Sequence, residues 1–226
     1  MCNKACIDFG IENISLEDIK DKFVIEVGAL NINGSLRPII EKMQPRLYMG
    51  VDLQKGPGVD QVCSAEEIVN RFGVNSFDVL ISTELLEHTR DWKKVISNFK
   101  NILKPNGLMI ITTRSKGFCY HGYPFDFWRY EISDMRHIFS DFIIERLEKD
   151  SKDFGVLMKA RKPENFVENN LDNYNLYSIM LNIIVPVRAA IIYSPFFRVI
   201  YQIRISMPES VKKFARNLRE KIRKKQ

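Results

Sequence analysis

His121 and Asp126 lie five positions apart in an aromatic stretch that runs from Gly117 to Tyr130. Imidazole titrates near neutral pH, and a carboxylate so near in sequence can orient it, so His121 is a candidate general base with Asp126 as its partner. Tyr123, Trp128 and Arg129 add flat faces and a cation that could contact an acceptor molecule. The competing reading of this stretch is a hydrophobic cover in which His121 bonds only to backbone. A second candidate base, His88, follows Glu87 directly after an apolar run. At the other end of the chain's first half, the run Phe23 to Ser35 begins β-branched and apolar, carries Glu26, and breaks at Gly28 into a loop of small and amide residues reaching Gly34. Glycine lets backbone lie close against a bound nucleotide, and a carboxylate such as Glu26 in the loop's mouth suits a cationic amino-acid moiety better than a pyrophosphate.

The elements that must position these residues follow from hydropathy. Phe23 to Val27, Leu47 to Leu53, Phe77 to Ser82 and Leu108 to Thr113 read as buried strands. Between them fall helices over Leu36 to Met43, Ser64 to Phe72 with Ser64 as cap, and a segment capped by Asp91. In that last helix Trp92, Val95, Ile96, Phe99, Ile102 and Leu103 share one face. A short covering helix capped by Ser15 precedes the first strand, Ser133 to Phe139 forms another helix, and Phe142 to Lys149 with Gly155 to Ala160 supply an antiparallel finish. Strand and helix alternating in this rhythm predict a doubly wound, mostly parallel α/β sheet with right-handed crossovers. The carboxyl ends of such strands face one crevice, which places the Gly28 loop, Asp52 and the 117–130 stretch together. Asp52 stands 24 residues beyond Gly28, near the roughly 20 at which a ribose-binding carboxylate is expected. The dinucleotide pattern G-x-G-x-x-G fails at Leu30 and Asn33, and a P-loop fails because Ser35, not Lys, follows Gly34.

With the Gly loop and Asp52, the runs Phe77 to His88 and Leu103 to Leu108 resemble the motifs of class I S-adenosylmethionine-dependent methyltransferases, type-11 group, over about residues 23 to 160. The resemblance implies a seven-stranded Rossmann-like sheet and S-adenosyl-L-methionine as cofactor. Glu26, Gly28 and Gly34, with Ala29, are then expected at its methionine part. Asp52 is expected at the ribose, Ser64 and Ala65 beside the adenine, Thr83 under the sulfonium, and Leu53 among the other cofactor contacts. The sequence departs from the family pattern where Leu30 and Ile32 replace glycines and where Ser64 replaces a common Asp. Ser82-Thr83-Glu84-Leu85 stands where methylases of exocyclic base nitrogens carry Asn/Asp-Pro-Pro-aromatic, which disfavours such acceptors. A hydroxyl of a small molecule, a saccharide or a lipid-linked glycan is the expected acceptor. The alternatives are a methyltransferase-like binding protein without turnover and an RNA methyltransferase recruited by a basic tail.

That tail is the source of the charge. Of 226 residues, 206 to 226 hold eight basic and two acidic ones, a net +6 that equals the charge of the whole chain. The body is therefore neutral, and a nucleic-acid face across it is not expected. Val211, Phe214, Ala215, Leu218 and Ile222 recur at helical spacing in the tail, as in a basic amphipathic helix suited to an anionic membrane surface. The expected organisation is a catalytic domain over 1–163 and a helical basic extension over 164–226. The longest charge-free part of that extension, Asn173 to Val187, is 15 residues, short of a membrane span of roughly 20. MCNKACIDFG lacks a signal-length apolar run, so the expected location is cytoplasmic, peripheral on the inner membrane face. Cysteines 2, 6, 63 and 119 include no C-x-x-C pair, and Phe9 stands where a third iron–sulfur ligand would fall, so no metal site is expected from them.

Overall fold

The computed structural model describes residues 3–121, 125–150, 152–185 and 208. Its centre is a seven-stranded sheet in the order β3-β2-β1-β4-β5-β8-β7. The strands are β1 (Phe23–Val27), β2 (Leu47–Asp52), β3 (Gln61–Val62), β4 (Phe77–Thr83), β5 (Leu103–Arg114), β7 (Ile143–Asp150) and β8 (Gly155–Arg161). Pairs from β3 to β5 are parallel, whereas β8 runs antiparallel to both β5 and β7. The doubly wound, mostly parallel architecture expected from the alternation is the one observed.

Both faces of the sheet are covered, which is why its central strands read as continuous apolar runs. On one face α1 (Lys4–Asn13), α2 (Leu16–Ile19) and α3 (Arg37–Lys42) bring Phe9, Ile19, Leu36 and Ile40 against Val24, Val79, Ile81 and Ile110. Ser15 caps α2 through a reciprocal capping box with Asp18, and Pro38 is tolerated because it sits in the first turn of α3. α5 (Trp92–Ile102) is capped by Asp91 and buries Trp92, Val95, Ile96, Phe99 and Ile102, as its spacing predicts. It also buries Lys100, whose ammonium donates to Ile138 O (2.6 Å), Asp141 Oδ2 (2.7 Å) and Asn169 Oδ1 (2.7 Å). That tripod ties α5 to the end of α6 (Ile132–Ile138) and to the segment after Pro163.

Several boundaries differ from expectation. α4 (Ile68–Phe72) starts four residues after Ser64, because the Ser64 hydroxyl closes a tight turn onto Glu66 N while Glu67 pairs with Lys94 instead of completing a capping box. β5 begins at Leu103, before the Pro105-Asn106-Gly107 turn, and an irregular register carries its pairing from Phe77 to Val79. The expected domain boundary at 163 falls inside the first compact unit, Met1–Pro186. Residues 176–185, read from sequence only as an apolar part of the extension, form β9 (Leu176–Ser178) and β10 (Ile183–Val185). These join β6 (Trp128–Arg129) in a small antiparallel sheet. The stretch 206–226, expected as a basic helix, falls in the second unit, Val187–Gln226, and apart from Pro208 lies outside the described residues. Among the described residues, no helix is long and apolar enough to cross a membrane.

One close approach shapes the crevice. A Cβ on Gly50 of β2 would fall 2.1 Å from the Gly58 carbonyl oxygen, so only glycine lets the 54–60 connection fold back over the strand. Asp60 secures that connection by accepting from Gly50 N (2.7 Å) and from Arg37 (2.7 Å). Gly50→Ala is expected to lower stability by about 1–3 kcal/mol, the usual cost of overpacking, read as a lower urea midpoint. An unchanged midpoint would show that the connection yields freely.

Candidate active site

A cavity of about 380 Å³ opens at the carboxyl ends of β1, β2 and β4, the crevice that the parallel topology creates. All nine residues expected to contact the cofactor line it: Glu26, Gly28, Ala29 and Gly34 from the first loop, Asp52 and Leu53 after β2, Ser64 and Ala65, and Thr83 at the end of β4. Gly28 (φ 86°) and Gly34 (φ 128°) both adopt left-handed backbone, so the loop needs them despite the missing intermediate glycines. Gly28 N and Ala29 N donate to Val51 O, which holds the loop against β2. Asp52 braces the same loop, accepting from Leu30 N (3.2 Å) through Oδ2, while its Oδ1 accepts from Gln54 N.

Glu26 is buried at the cavity wall and accepts from the Tyr48 hydroxyl (2.7 Å). Burial pushes its carboxyl up to about 7, only partly opposed by the Tyr48 hydrogen bond and the Arg37 charge. A buried carboxylate short of a cation, beside a left-handed glycine loop and a strand-end Asp, fits the ammonium and ribose of S-adenosylmethionine.

At the far end of the cavity stand His88, His121, Phe125 and Phe127. The short helical turn Leu86–His88 places Glu87 inward, fully buried, with Oε2 accepting from Thr113 Oγ1 (2.9 Å). His121 Nδ1 lies 3.0 Å from Asp126 Oδ2, and its Nε2 lies 3.7 Å from Glu87 Oε1. His88 Nδ1 lies 2.6 Å from the Phe125 carbonyl oxygen, so Nδ1 carries the proton and Nε2 is left 4.0 Å from the same Glu87 oxygen. Burial works against the charge on His121, but the Asp126 and Glu87 carboxylates outweigh it and raise its pKa to about 9. Burial likewise opposes ionisation of Glu87, yet His121 and His88 hold it down at about 2. Flanked by two carboxylates, the charged form of His121 is favoured, which weighs on its expected role as a general base.

Asp126 orients His121, as its spacing suggested, but reaches it from a fully buried position outside the cavity lining. Trp128 and Arg129, expected to touch the acceptor, are buried and do not line the cavity either. Trp128 Nε1 donates to Thr89 O (2.9 Å), and Arg129 grips both oxygens of Asp126 (2.5 and 2.7 Å) and the Cys119 carbonyl (3.1 Å). Tyr123 lies outside the described residues. The sequence reading missed Arg90, Phe125 and Phe127 as lining residues. The signal for the two phenylalanines was present in their aromatic stretch. Phe127 N donates to Glu87 O (2.8 Å), which fixes that stretch against the turn bearing both the carboxylate and His88.

The sheet order and this cavity define a class I S-adenosylmethionine-dependent methyltransferase. The chain belongs to the family described as a methyltransferase domain, whose match spans residues 11–156. It is 25% identical over 183 residues to a ubiquinone biosynthesis O-methyltransferase of Bartonella tribocorum, covering 74% of this chain and 66% of that protein's length. It shares its fold with a 1,6-didemethyltoxoflavin-N1-methyltransferase of Burkholderia thailandensis solved with 1,6-didemethyltoxoflavin and S-adenosylhomocysteine (TM-score 0.53, 15% identity, 71% of this chain and 77% of that one). The fold is shared equally with the [4+2]-cyclase SpnF (TM-score 0.55, 13% identity, 70% and 80%), so the acceptor must be argued from the site.

Arg129→Met removes the cation from the buried Asp126 while keeping most of the volume. Stability is expected to fall by about 3 kcal/mol, the scale for breaking a buried ion pair, as measured by denaturant unfolding. A loss below about 1 kcal/mol would mean that His121 alone satisfies Asp126.

Proposed function

We propose that this enzyme transfers the methyl group of S-adenosylmethionine to a hydroxyl oxygen of a small ring-bearing molecule, an aromatic or a saccharide. The carrying observation is the convergence of Glu87, His88 and His121 at the end of the cavity away from the Gly28 loop. A neutral amine or a carbanion needs no such apparatus, whereas a hydroxyl must lose a proton as it is methylated. Phe125 and Phe127 lie 5.6 Å apart at a 31° tilt, offering flat apolar surface for a ring. The name of the Bartonella relative, an O-methyltransferase, supports the same acceptor atom.

In this reading the chain's own groups divide the work. Glu26 receives the cofactor's ammonium, Asp52 the ribose hydroxyls, and the stretch around Ser64 and Ala65 borders the adenine. S-adenosylmethionine, when bound, supplies a methyl whose carbon–sulfur bond breaks with its electrons left on sulfur while a carbon–oxygen bond forms. His88 Nε2, left without a proton because Nδ1 donates to the Phe125 carbonyl, takes the hydroxyl proton, His121 and Glu87 hold the acceptor oxygen beside it, and the aromatic walls align the ring and exclude water. A saccharide carried on a lipid would bring the basic tail to a membrane surface. The reading is tested by incubating the protein and methyl-labelled cofactor with a metabolite extract and locating the label. Label on oxygen supports it; label on nitrogen or carbon, or cofactor binding without any turnover, overturns it.

A pH dependence follows from Glu26. With its pKa near 7 in the free protein, the carboxyl is largely protonated below that pH and must release a proton to meet an ammonium. Affinity for S-adenosylmethionine is therefore expected to rise several-fold between pH 6 and 7.5, with proton uptake by the buffer visible in calorimetry. Glu26→Gln should flatten this profile and weaken binding. An unaltered slope in a folded Gln variant would remove Glu26 from the cofactor's ammonium.

A further inference from the structure

Charge is distributed unevenly along the cavity. The carboxylates Glu26, Asp52 and Glu66 belong to the ends of β1 and β2 and to the segment around Ser64, in the half expected to hold the cofactor. Glu84, the other acidic lining residue, is buried and paired with the Arg114 guanidinium. Among the described lining residues, only Arg90 carries a permanent positive charge, and it stands at the opposite end beside Phe125 and Phe127. Behind it the Arg129–Asp126–His121–Glu87 unit balances within itself, two carboxylates against a guanidinium and an imidazolium. The adjacent carboxylate, Asp91, is engaged as the cap of α5, accepting from Lys94 N (3.1 Å).

Arg90 is also held in place. Thr89 Oγ1 donates to Leu86 O (2.8 Å), and Trp128 Nε1 donates to Thr89 O (2.9 Å) and Arg90 O (3.4 Å), which fixes the backbone of the turn. The guanidinium carbon then lies 5.9 Å from the centroids of both phenylalanine rings. We propose that the acceptor is an anion, a ring carrying a carboxylate or phosphate group that Arg90 grips while the hydroxyl to be methylated lies at His88. This substrate class deepens the hydroxyl reading given above and rests on it for the reacting atom. Arg90 and His88 are two positions apart on one turn, and both meet the same aromatic surface, His88 through the Phe125 carbonyl and Arg90 over the two rings. A ring seated on Phe125 and Phe127 therefore has its acidic group and its hydroxyl held by a single short segment. Guanidinium presents parallel N–H donors to a carboxylate or phosphate, and such charge-assisted bonds are about twice as strong as neutral ones. A neutral ring gains only apolar contact there. The carboxylates of the cofactor half repel the same anion, so its charge is turned toward the histidine end. Arg90 touches neither the methyl group nor the acceptor oxygen in this arrangement; it is a specificity-determining residue, and its contribution is to binding.

Two measurements on the full-length chain test the assignment. In the first, benzoate and phenyl phosphate are titrated against phenol and methyl benzoate, with binding followed by ligand-observed NMR. At least one of the two anions should bind about 10-fold or more tighter than the neutral rings, and the better one identifies the acidic group. Arg90→Met should abolish that preference, Arg90→Lys should keep part of it, and Lys149→Met, which removes an exposed charge on β7, should leave it unchanged. In the second, the product labelled in the metabolite extract is passed over an anion exchanger. It should be retained, and with it as acceptor Arg90→Lys should raise KM while nearly preserving kcat. Anionic fragments that bind no tighter than phenol, an undiminished preference in Arg90→Met, or an O-methylated product that passes through the exchanger overturns the anion contact. A retained product labelled on nitrogen or carbon would instead overturn the hydroxyl reading and support the Arg90 contact, so the two failures are distinguishable.

Discussion

A fully buried carboxylate, Glu87, sets the terms for the acceptor half of this molecule. Taking a charge out of water costs several kcal/mol unless hydrogen bonds and opposite charge replace the lost hydration. Here the replacements come from separate parts of the chain: a hydroxyl on β5, an imidazole from the same turn, and a second imidazole from the aromatic stretch. His121 can serve only if it is itself held, and Asp126 holds it; Asp126 can be buried only because Arg129 clamps both its oxygens. The chain Arg129–Asp126–His121–Glu87 is thus one electrostatic unit, in which each buried charge is tolerated because of the next. Backbone bonds follow the same path, with Phe127 N on Glu87 O and Tyr130 N on Arg114 O.

This dependence explains what could be read from the sequence and what could not. That the residues expected at the cofactor would line one cavity was legible because they sit at fixed offsets from strand ends: Gly28 one residue past β1, Asp52 the last of β2, Thr83 the last of β4. Parallel pairing then brings those ends together whatever the loops do. Trp128 and Arg129 were misread as acceptor contacts because an aromatic and a cation in a loop over a crevice look the same whether they face ligand or interior. Their inward partners, Thr89 O for one and the Asp126 carboxylate for the other, are decided by the packing of the stretch on the 86–90 turn. The β9–β10 hairpin was missed for a related reason: its short apolar strands acquire a sheet only by pairing with β6, some fifty positions earlier in the chain. Lys100 gave no signal at all, since a lysine on an amphipathic helix is ordinarily solvated, and only the Asp141–Asn169–Ile138 tripod makes its burial tolerable.

The two ends of the cavity can be contrasted through their buried carboxylates. Glu26 and Glu87 are both deeply buried, and burial pushes the pKa of each upward, yet one settles near 7 and the other near 2. The difference lies in their company. Glu26 has a neutral donor, the Tyr48 hydroxyl, and only the more distant charge of Arg37, so its negative form is not fully compensated within the protein. Glu87 faces two imidazoles and is already compensated. A carboxylate left short of positive charge at a cavity wall is a place where a cationic ligand gains more than it would at the surface, because it replaces a missing partner and displaces no existing one. The compensated carboxylate offers no such gain to an organic cation. What it offers is an oxygen and two ring nitrogens fixed from behind, a geometry that can act on an acceptor atom without first being rebuilt by it. In the proposed reading, the direction of the cavity, cofactor at the glycine loop and acceptor at the histidines, follows from this asymmetry of charge as much as from the topology of the sheet.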